Sequence, residues 1–176
     1  DRLILRRLRE PDIADLLEYD AHPDLYRLGS GIVRSEEQSK AFIVAQRDLA
    51  LGTEGEWLSL AVELKAEDKM IGHVCIKVLS DQHHQGEVGW FFNPEYQRQG
   101  FATEAAEALI EFGFITMGLH RITARCDTRN QRSFRVMERL GMRQEALFKE
   151  IVFHQGAWHD QFAYAIIRCE WDTQHQ

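Results

Sequence analysis

Proline, cysteine and long apolar runs are all scarce in this sequence, and each scarcity excludes a class of protein. Three prolines among 176 residues, with an ordinary composition of 44% hydrophobic and 28% charged residues, exclude collagen, coiled coil and disorder. No apolar run approaches the roughly 20 residues of a membrane-spanning helix, and no basic start precedes an apolar block as in a signal peptide. We therefore expect a soluble cytoplasmic protein with no membrane partner.

The three cysteines are too few and too far apart for a disulfide framework or a zinc site. Cys75, Cys126 and Cys169 each lie in an apolar run, so we expect three buried free thiols. His83 and His84 lie together in a polar stretch, without a carboxylate or thiol at ligand spacing. The sequence therefore predicts no metal.

Charge is distributed unevenly along the chain. The formal net charge of −7 argues against nucleic-acid binding, which needs a basic surface. Between Arg121 and Arg143, however, seven arginines are opposed only by Asp127 and Glu138. This locally basic segment predicts an anionic small molecule as a binding partner.

Hydrophobic periodicity predicts an α/β protein with a mixed sheet. At roughly 100–200 residues per domain, the length predicts one domain. Strands are predicted near residues 3–8, 57–65, 70–79, 87–92, 121–126, 146–153 and 157–167, with Gln155–Gly156 as the last turn. Helices are predicted from Pro11, from the N-cap Ser35, over 102–114 and over 131–140. The expected fold is a central mixed sheet of about seven strands flanked by about four helices.

A strand, a short loop and a long helix are predicted between Glu87 and Ala105. The loop meets the helix at Gly100, where the first backbone N–H groups have no acceptor within the helix. These donors and the positive end of the helix dipole form an anion site suited to a diphosphate. Gly100 allows close approach of the backbone, and the small Ala102 leaves room for a ligand. The alternative is a left-handed turn with a small residue packed against the sheet.

The spacing Gln97-x-x-Gly100-x-Ala102 resembles the acetyl-CoA pyrophosphate motif, Gln/Arg-x-x-Gly-x-Gly/Ala, of the GNAT superfamily of N-acetyltransferases. The flanking strings, Glu87-Val88-Gly89-Trp90 and Ala102-Thr103-Glu104-Ala105, are similar to the RimJ/RimL-type branch. Further similar blocks are Arg6 to Asp12, Met70 to His73, and Asn130 to Met142. The resemblance covers nearly the whole chain and implies a single GNAT domain over residues 1–176, with two parallel strands that splay apart.

This resemblance implies that acetyl-CoA is the acyl-donor co-substrate and assigns residues to its parts. The main chain of Trp90, Phe91 and Phe92 is expected to pair with the pantetheine arm as an added strand would. The diphosphate would be held by the segment Gln97, Arg98, Gln99, Gly100, Phe101, Ala102 and Thr103. Asn130 and Ser133 would contact the arm, and Phe134 would line the channel.

A row of arginines supports the cofactor assignment independently. Arg132, Arg135 and Arg139 recur at helical spacing and could neutralise the 3′-phosphate of CoA. The alternative is a solvated helix face paired with Glu138 and neighbouring acids.

Amine acetylation needs a base for the amine and an acid for the departing thiolate. Glu87 is the candidate base, since it precedes the splayed strand; the alternative is a structural glutamate. The resemblance places the usual tyrosine acid at Met137, so the acid role falls to Ser133, which RimL-like enzymes use. The carboxylate that those enzymes carry on the next strand aligns with Val152, which leaves Glu150 as a weaker candidate base.

The first functional hypothesis is therefore an acetyl-CoA-dependent N-acetyltransferase that uses direct attack in a ternary complex. The acceptor is a primary amine, either a protein N-terminus or a small molecule such as a polyamine, an aminoglycoside or an amino-acid-like amine. The acidic balance of the chain favours a cationic acceptor. The alternatives are a non-catalytic acyl-CoA-binding sensor or interaction module, and an unrelated phosphate-binding α/β protein. Either a monomer or a homodimer is compatible with the sequence.

Overall fold

A computed structural model of the protein describes residues 2–20, 22–26 and 33–175. The strands are β1 (Leu3–Arg7), β2 (Trp57–Leu64), β3 (Lys69–Ser80), β4 (Gln85–Phe92), β5 (Arg121–Asp127), β6 (Arg143–His154) and β7 (Ala157–Ile167). The helices are α1 (Ile13–Asp20), α2 (Pro23–Tyr26), α3 (Glu36–Asp48), α4 (Phe101–Ile115), α5 (Gln131–Arg139) and α6 (Arg168–Gln174). The predicted α/β class with a mixed seven-stranded sheet is confirmed. The short α2 and the final α6 were not predicted.

The seven strands form one sheet in the order β1-β2-β3-β4-β5-β7-β6. Every neighbouring pair is antiparallel except β4 and β5, which run parallel. These two strands pair at only three positions, the last of which joins Glu87 to Thr123. Beyond that position β4 continues to Phe92 and β5 continues to Asp127 without pairing to each other. The centre of the sheet therefore opens into a cleft.

Helices cover both faces of the sheet. On one face α4 buries Ala106, Leu109 and Ile110 completely against strand residues that include Val74 and Ile122. The other face carries α1 and α3, where Leu16 and Ile43 pack on β2 and β3. Burial of these apolar side chains contributes most of the stabilisation. The sheet is thus a central layer, and any ligand must enter through the cleft or along the edges.

Local sequence signals explain several element boundaries. Ser35 begins α3 with a reciprocal capping box, in which its side chain accepts from the Gln38 amide and Gln38 reaches back to the Ser35 amide. At the β6–β7 turn, Gln155 and Gly156 adopt φ of 51° and 78°, as a type I′ hairpin turn requires. Both predictions are confirmed.

The C-terminal segment differs from the prediction. Residues 168–174 form α6, whose buried side is anchored by Trp171 packed near Phe114 at a ring distance of 6.0 Å. Cys169 lies on the opposite side of this helix and is exposed, so the prediction of three buried thiols is wrong for it. Cys75 and Cys126 are buried free thiols as expected. Among the residues that the structure describes, no helix combines the length and apolar character needed to cross a membrane.

Candidate active site

A groove of about 820 Å³ lies where β4 and β5 separate, and it continues to the first turns of α4 and α5. Its volume falls within the roughly 300–1,000 Å³ typical of small-molecule sites. All but two of the predicted cofactor residues line it, namely Trp90, Phe91, Phe92, Gln97, Arg98, Gly100, Phe101, Ala102, Thr103, Asn130, Ser133 and Arg139. Gln99 and Phe134 do not.

The loop before α4 presents an uninterrupted run of backbone donors. Arg98 and Gly100 both have positive φ, 64° and 84°, so the chain turns sharply before the helix begins. Among the described residues, no acceptor lies within hydrogen-bonding distance of the N–H groups of residues 98–102. The amide of Thr103 is different, because it already donates to the Gly100 carbonyl at 3.1 Å. Five consecutive donors therefore converge at the positive end of a 15-residue helix.

The Gln97 side chain forms hydrogen bonds to both walls of the groove. Its Nε2 donates to the Phe92 carbonyl at 3.1 Å, and its Oε1 accepts from Arg132 Nη1 at 2.6 Å. The side chain therefore links the end of β4 to α5. This occupied amide is better suited to hold the loop in place than to contact a ligand directly.

Gln99 lies outside the groove because the start of the chain engages its backbone. Arg2 Nη1 donates to the Gln99 carbonyl at 2.9 Å, and the guanidinium carbon of Arg2 lies 4.3 Å from the centre of the Phe101 ring. The same arginine pairs with Glu104 at 2.8 Å. These contacts hold the outer side of the donor loop.

Asn130 and Ser133 lie together at the start of α5. Asn130 is the N-cap of this helix, and its Oδ1 accepts from the Ser133 amide at 3.1 Å. Ser133 also contacts Cys126 on β5. Burial raises the pKa of the Cys126 thiol to about 11, and a hydrogen bond from the Ser133 hydroxyl offsets part of that rise. The thiol is therefore protonated at neutral pH, and the serine hydroxyl is held at the groove wall.

Phe134 lies behind the groove wall, which differs from the expectation that it lines the channel. Its ring packs edge-on against Phe162 with centroids 5.8 Å apart, so it faces the sheet. Met137, which stands where the resemblance implies a tyrosine, is 1% exposed and lines the groove. The sequence spacing assigned these residues to the correct helix, but only packing decided which of them faces the groove.

The arginine-rich segment divides into two groups in the structure. Arg121, Arg129 and Arg143 are paired with the carboxylates of Glu145, Asp127 and Glu170. Arg132, Arg135 and Arg139 line the groove, and no carboxylate in the described ranges lies within 4.0 Å of their guanidinium groups. Arg139 Nε donates to the Arg135 carbonyl at 3.0 Å. The unpaired row on α5 is therefore available to an anion.

Glu87 lies at the base of the cleft but not in its lining. It occupies the last position at which β4 and β5 pair, and its side chain is 14% exposed. Lys77 Nζ lies 3.7 Å from one carboxylate oxygen, and Arg125 Nε lies 3.9 Å from the other. Alternation along β4 places Glu87 on the face opposite α4, with Phe91 further along the same face. Its charged neighbours are thus two cations, Lys77 and Arg125.

Glu150 is displaced by an irregularity in β6. The pairing of β6 with β7 skips from Phe148 to Val152, and Glu150 has φ of 51°. Its amide donates to Asp160 Oδ1 at 2.9 Å, and the residue is exposed. Regular strand alternation does not continue through this bulge, so it does not place the Glu150 side chain on the same face as Val152.

A buried polar pair supports the groove from the other face of the sheet. The Tyr19 hydroxyl and His73 Nδ1 lie 2.8 Å apart, and His73 stacks on Phe91 with centroids separated by 4.6 Å. Burial, with a smaller contribution from the Arg34 cation, lowers the pKa of His73 to about 3. Sequence reasoning missed this contact, since the three residues come from α1, β3 and β4.

Comparisons with known proteins agree with this geometry. The model of the acetyltransferase (GNAT) domain family matches residues 2–143. The uncharacterized N-acetyltransferase YnaD of Bacillus subtilis (strain 168) is 37% identical over 171 residues, which are 97% of this chain and 96% of that protein. A crystal structure of a GNAT-family acetyltransferase from Bacillus anthracis matches with a TM-score of 0.82 and 35% identity over 95% of both chains.

A more distant structure shares the fold alone. The spermidine N-acetyltransferase from Vibrio cholerae, in complex with CoA and spermine, matches with a TM-score of 0.82 and 19% identity. The match covers 97% of this chain and 98% of that one.

Proposed function

The chain belongs to the GNAT acetyltransferase family and is an acetyl-CoA-dependent acyltransferase, and from this premise we propose that it acetylates a primary amine by direct attack in a ternary complex. The observation that carries this proposal is the run of five backbone donors, residues 98–102, beside the separated strands β4 and β5. Acetyl-CoA supplies the acetyl group as a reactive thioester.

The donor loop is the proposed site of the diphosphate. Backbone N–H groups at a helix start bind anions well because they lack helical acceptors and lie at the positive end of the dipole. The donors available are those of residues 98–102, whereas the Thr103 amide is already bonded to Gly100. The unpaired arginines on α5, among them Arg135 and Arg139, are placed to receive the 3′-phosphate.

The free edge of β4 is the proposed track for the pantetheine arm. Residues Val88 to Phe92 pair with β3 on one side only, because β5 has already separated on the other. Such an edge can accept an extended ligand as a further strand would pair with it. Asn130 and Ser133 face this track from the start of α5. The arm would thus lie between the two walls of the cleft.

Glu87 is the proposed base. It lies at the base of the cleft, where the acceptor amine and the thioester would meet, and a carboxylate there can take a proton directly or through one water. The amine nitrogen then forms a bond to the acyl carbon while the carbon–sulfur bond breaks. Ser133 is the proposed donor of a proton to the departing thiolate, since this residue lines the groove beside the proposed track of the pantetheine arm.

Direct attack is favoured over an acetyl-cysteine intermediate. Burial raises the pKa of the Cys75 thiol to about 12 and that of Cys126 to about 11, so neither offers a thiolate at neutral pH. Family membership also excludes the alternative of an unrelated phosphate-binding protein. The comparisons do not favour the acyl-CoA sensor hypothesis, whose one support is Met137 at the position of the usual tyrosine.

Two measurements on the intact protein test this proposal. Titration calorimetry should detect acetyl-CoA binding, and a thiol-detecting assay with a panel of primary amines should detect CoA release that depends on the amine. Binding without turnover of any amine would favour the sensor hypothesis. Absence of binding would contradict the donor-loop assignment itself.

A further inference from the structure

The side of the cleft opposite α4 is where an acceptor amine would approach, and its charge is unusual. Cross-strand pairing places Trp57, Lys77 and Glu87 side by side on this face, and Arg125 projects from β5 beside them. Glu87 is shared between the two cations, at 3.7 Å from Lys77 and 3.9 Å from Arg125. The described residues of this cluster thus hold two positive charges and one negative charge.

Nearby cations on the adjacent elements are already neutralised. Arg129 makes two hydrogen bonds to Asp127, at 2.8 and 2.7 Å, next to the end of β5. Lys149 pairs with Asp160 at 2.8 Å across β6 and β7. The uncompensated positive charge on this side of the cleft therefore comes from Arg125 and Lys77, and not from Arg129 or Lys149.

Arg125 is the cation that remains available to a ligand. Its guanidinium has no hydrogen-bond acceptor among residues 2–20, 22–26 and 33–175, and its contact with Glu87 is longer than a hydrogen bond. The side chain is 46% exposed, lines the groove and lies 5.4 Å from the centre of the Phe148 ring. A planar guanidinium with free donors is suited to bind a carboxylate through two parallel hydrogen bonds.

The described residues that line the groove offer no carboxylate to a polycation. Its lining has six arginines, Arg98, Arg125, Arg129, Arg132, Arg135 and Arg139, and no aspartate or glutamate among its described residues. A polyamine acceptor would need several carboxylates to balance its charge. The cationic acceptor expected from the net charge of the whole chain stays a prediction, which the experiment below tests with spermidine.

We infer that the acceptor is an amine that also carries a carboxylate close to the amino group, as a free α-amino acid does. Its ammonium would face Glu87 and its carboxylate would face Arg125, so that the two protein charges match the two ligand charges. Trp57, under Lys77, and Phe148, beside Arg125, would flank the ligand and favour an apolar or aromatic side chain.

This inference rests on the proposed function, because the same cleft would carry out the transfer. The ligand ammonium first loses one proton to Glu87, and the neutral amine then forms the carbon–nitrogen bond of the amide while the thioester carbon–sulfur bond breaks. The nitrogen loses its second proton, and the departing thiolate takes up one proton by way of Ser133, so that CoA leaves as the thiol. The ligand carboxylate remains unchanged and serves only for binding. The specificity residue is therefore Arg125, and its effect should appear mainly in KM.

A matched pair of acceptors isolates the carboxylate. We would compare phenylalanine with phenylalaninamide, and both with spermidine, in the thiol-release assay. The wild type should favour the acid over the amide in kcat/KM by about tenfold to a hundredfold, the range expected for one charge-assisted contact. This preference would oppose amine reactivity, since the amide has the lower amine pKa and the larger neutral fraction at pH 8.

Substitution of Arg125 tests the assignment. Arg125→Gln should raise KM for phenylalanine and bring the acid-to-amide ratio of kcat/KM close to one. Arg125→Lys should retain part of the preference. Arg47→Gln, on the exposed end of α3 beside Asp48, is the matched control and should keep the wild-type ratio.

The possible outcomes separate this inference from the proposed function. If the amide or spermidine releases CoA faster than the acid, or if Arg125→Gln leaves the ratio unchanged, the substrate class is wrong and the transferase assignment stands. Acetyl-CoA binding with no turnover of the acid also overturns the substrate class. If calorimetry detects no acetyl-CoA binding and no amine releases CoA, the proposed function fails.

Discussion

The two faces of the central cleft are built in different ways. On the α4 face, the groups proposed to bind the donor come from two short continuous segments, residues 97–103 and 130–139. On the opposite face, Lys77, Glu87 and Arg125 come from three different strands, and Trp57 comes from a fourth. One face depends on local backbone geometry, and the other depends on the register between strands.

This difference explains why one face carries a recognisable motif and the other does not. Free amides at a helix start need only a turn and a small residue at the correct spacing, so a contiguous pattern such as Gln97-x-x-Gly100-x-Ala102 is sufficient. The charge cluster around Glu87 requires that Lys77 and Arg125 arrive from neighbouring strands. Its composition can therefore vary between relatives without disturbing the donor site.

Replacement of the proposed base, Glu87, should give the largest effect of any single change; this residue lies on the side of the cleft opposite α4, the proposed acceptor face. Glu87→Gln should reduce kcat by about 10²–10³ at pH 7, because the amine then has no base. The loss should shrink as the pH rises and the free amine becomes abundant, which a pH–rate profile would measure. Glu37→Gln, on exposed α3, is the control. An unchanged profile would leave Glu87 with a structural role only.

On the α4 side of the cleft, the proposed donor face, acetyl-CoA binding should be sensitive to the backbone conformation of the loop before α4. Gly100→Val places a β-branched residue at φ of 84°, which should disturb the amide run and weaken acetyl-CoA binding by roughly tenfold to a hundredfold. Gly118→Val, at φ of 68° with no atom within 4 Å of the added Cβ, carries a similar strain away from the groove. Calorimetry should find normal affinity for the Gly118 variant. Equal losses in both would show that the effect is general destabilisation.

The acceptor face should carry a pH-dependent stability that comes from one buried histidine, His73. Burial, aided by Arg34, lowers the pKa of His73 to about 3 in the folded chain, whereas the unfolded chain has an ordinary histidine pKa near 6.5. Between these values the unfolded state binds a proton that the folded state does not. This group should therefore reduce the free energy of unfolding by about 1.4 kcal/mol for each pH unit that the pH falls below 6.5.

Replacement of His73 tests this directly. Urea unfolding at pH 7, 6 and 5 should show a steeper loss for the wild type than for His73→Gln, which cannot titrate but can still accept from Tyr19. Parallel losses in the two proteins would mean that other groups cause the acid sensitivity.

The arginine row on α5 should have the smallest effect on the donor face. Arg135→Gln with Arg139→Gln should weaken binding of acetyl-CoA by about threefold to tenfold, since exposed charge pairs contribute modestly. The same double variant should bind acetyl-dephospho-CoA, the analogue of acetyl-CoA that lacks the 3′-phosphate, almost as tightly as the wild type does. High salt should reduce the difference between the two ligands in the wild type. If the double variant loses affinity equally for both ligands, the three arginines on α5 do not contact the 3′-phosphate.

The sequence predicted the donor face in more detail than the acceptor face. It located the strand at Glu87, the loop at Gly100 and the helix that follows, because each depends on nearby residues and on hydrophobic period. It also predicted that acetyl-CoA would be the donor through the resemblance to the GNAT superfamily, and the family is confirmed. The RimJ/RimL-type branch and the roles of Glu87 and Ser133 stay predictions.

Three features were beyond the reach of sequence patterns. Phe134 turns behind the groove to pack on Phe162, although its helical position was predicted correctly. The bulge in β6 displaces Glu150, because residues 149–151 stand opposite the single residue Asp160 and Glu150 adopts φ of 51°. Cys169 lies on the outer side of a short helix that continues the last strand. In each case a distant contact or an irregular backbone decided the outcome.

Local chemistry determined the elements, the left-handed turn at Gly100 and the free amides that follow it, since hydrophobic period, helix capping and glycine act over a few residues. Tertiary structure decided which charges surround Glu87, because strand order and register bring together Lys77 and Arg125, which are 48 positions apart. No short window of sequence contains that register. The donor could therefore be inferred from a motif, whereas the proposed acceptor class required the assembled sheet.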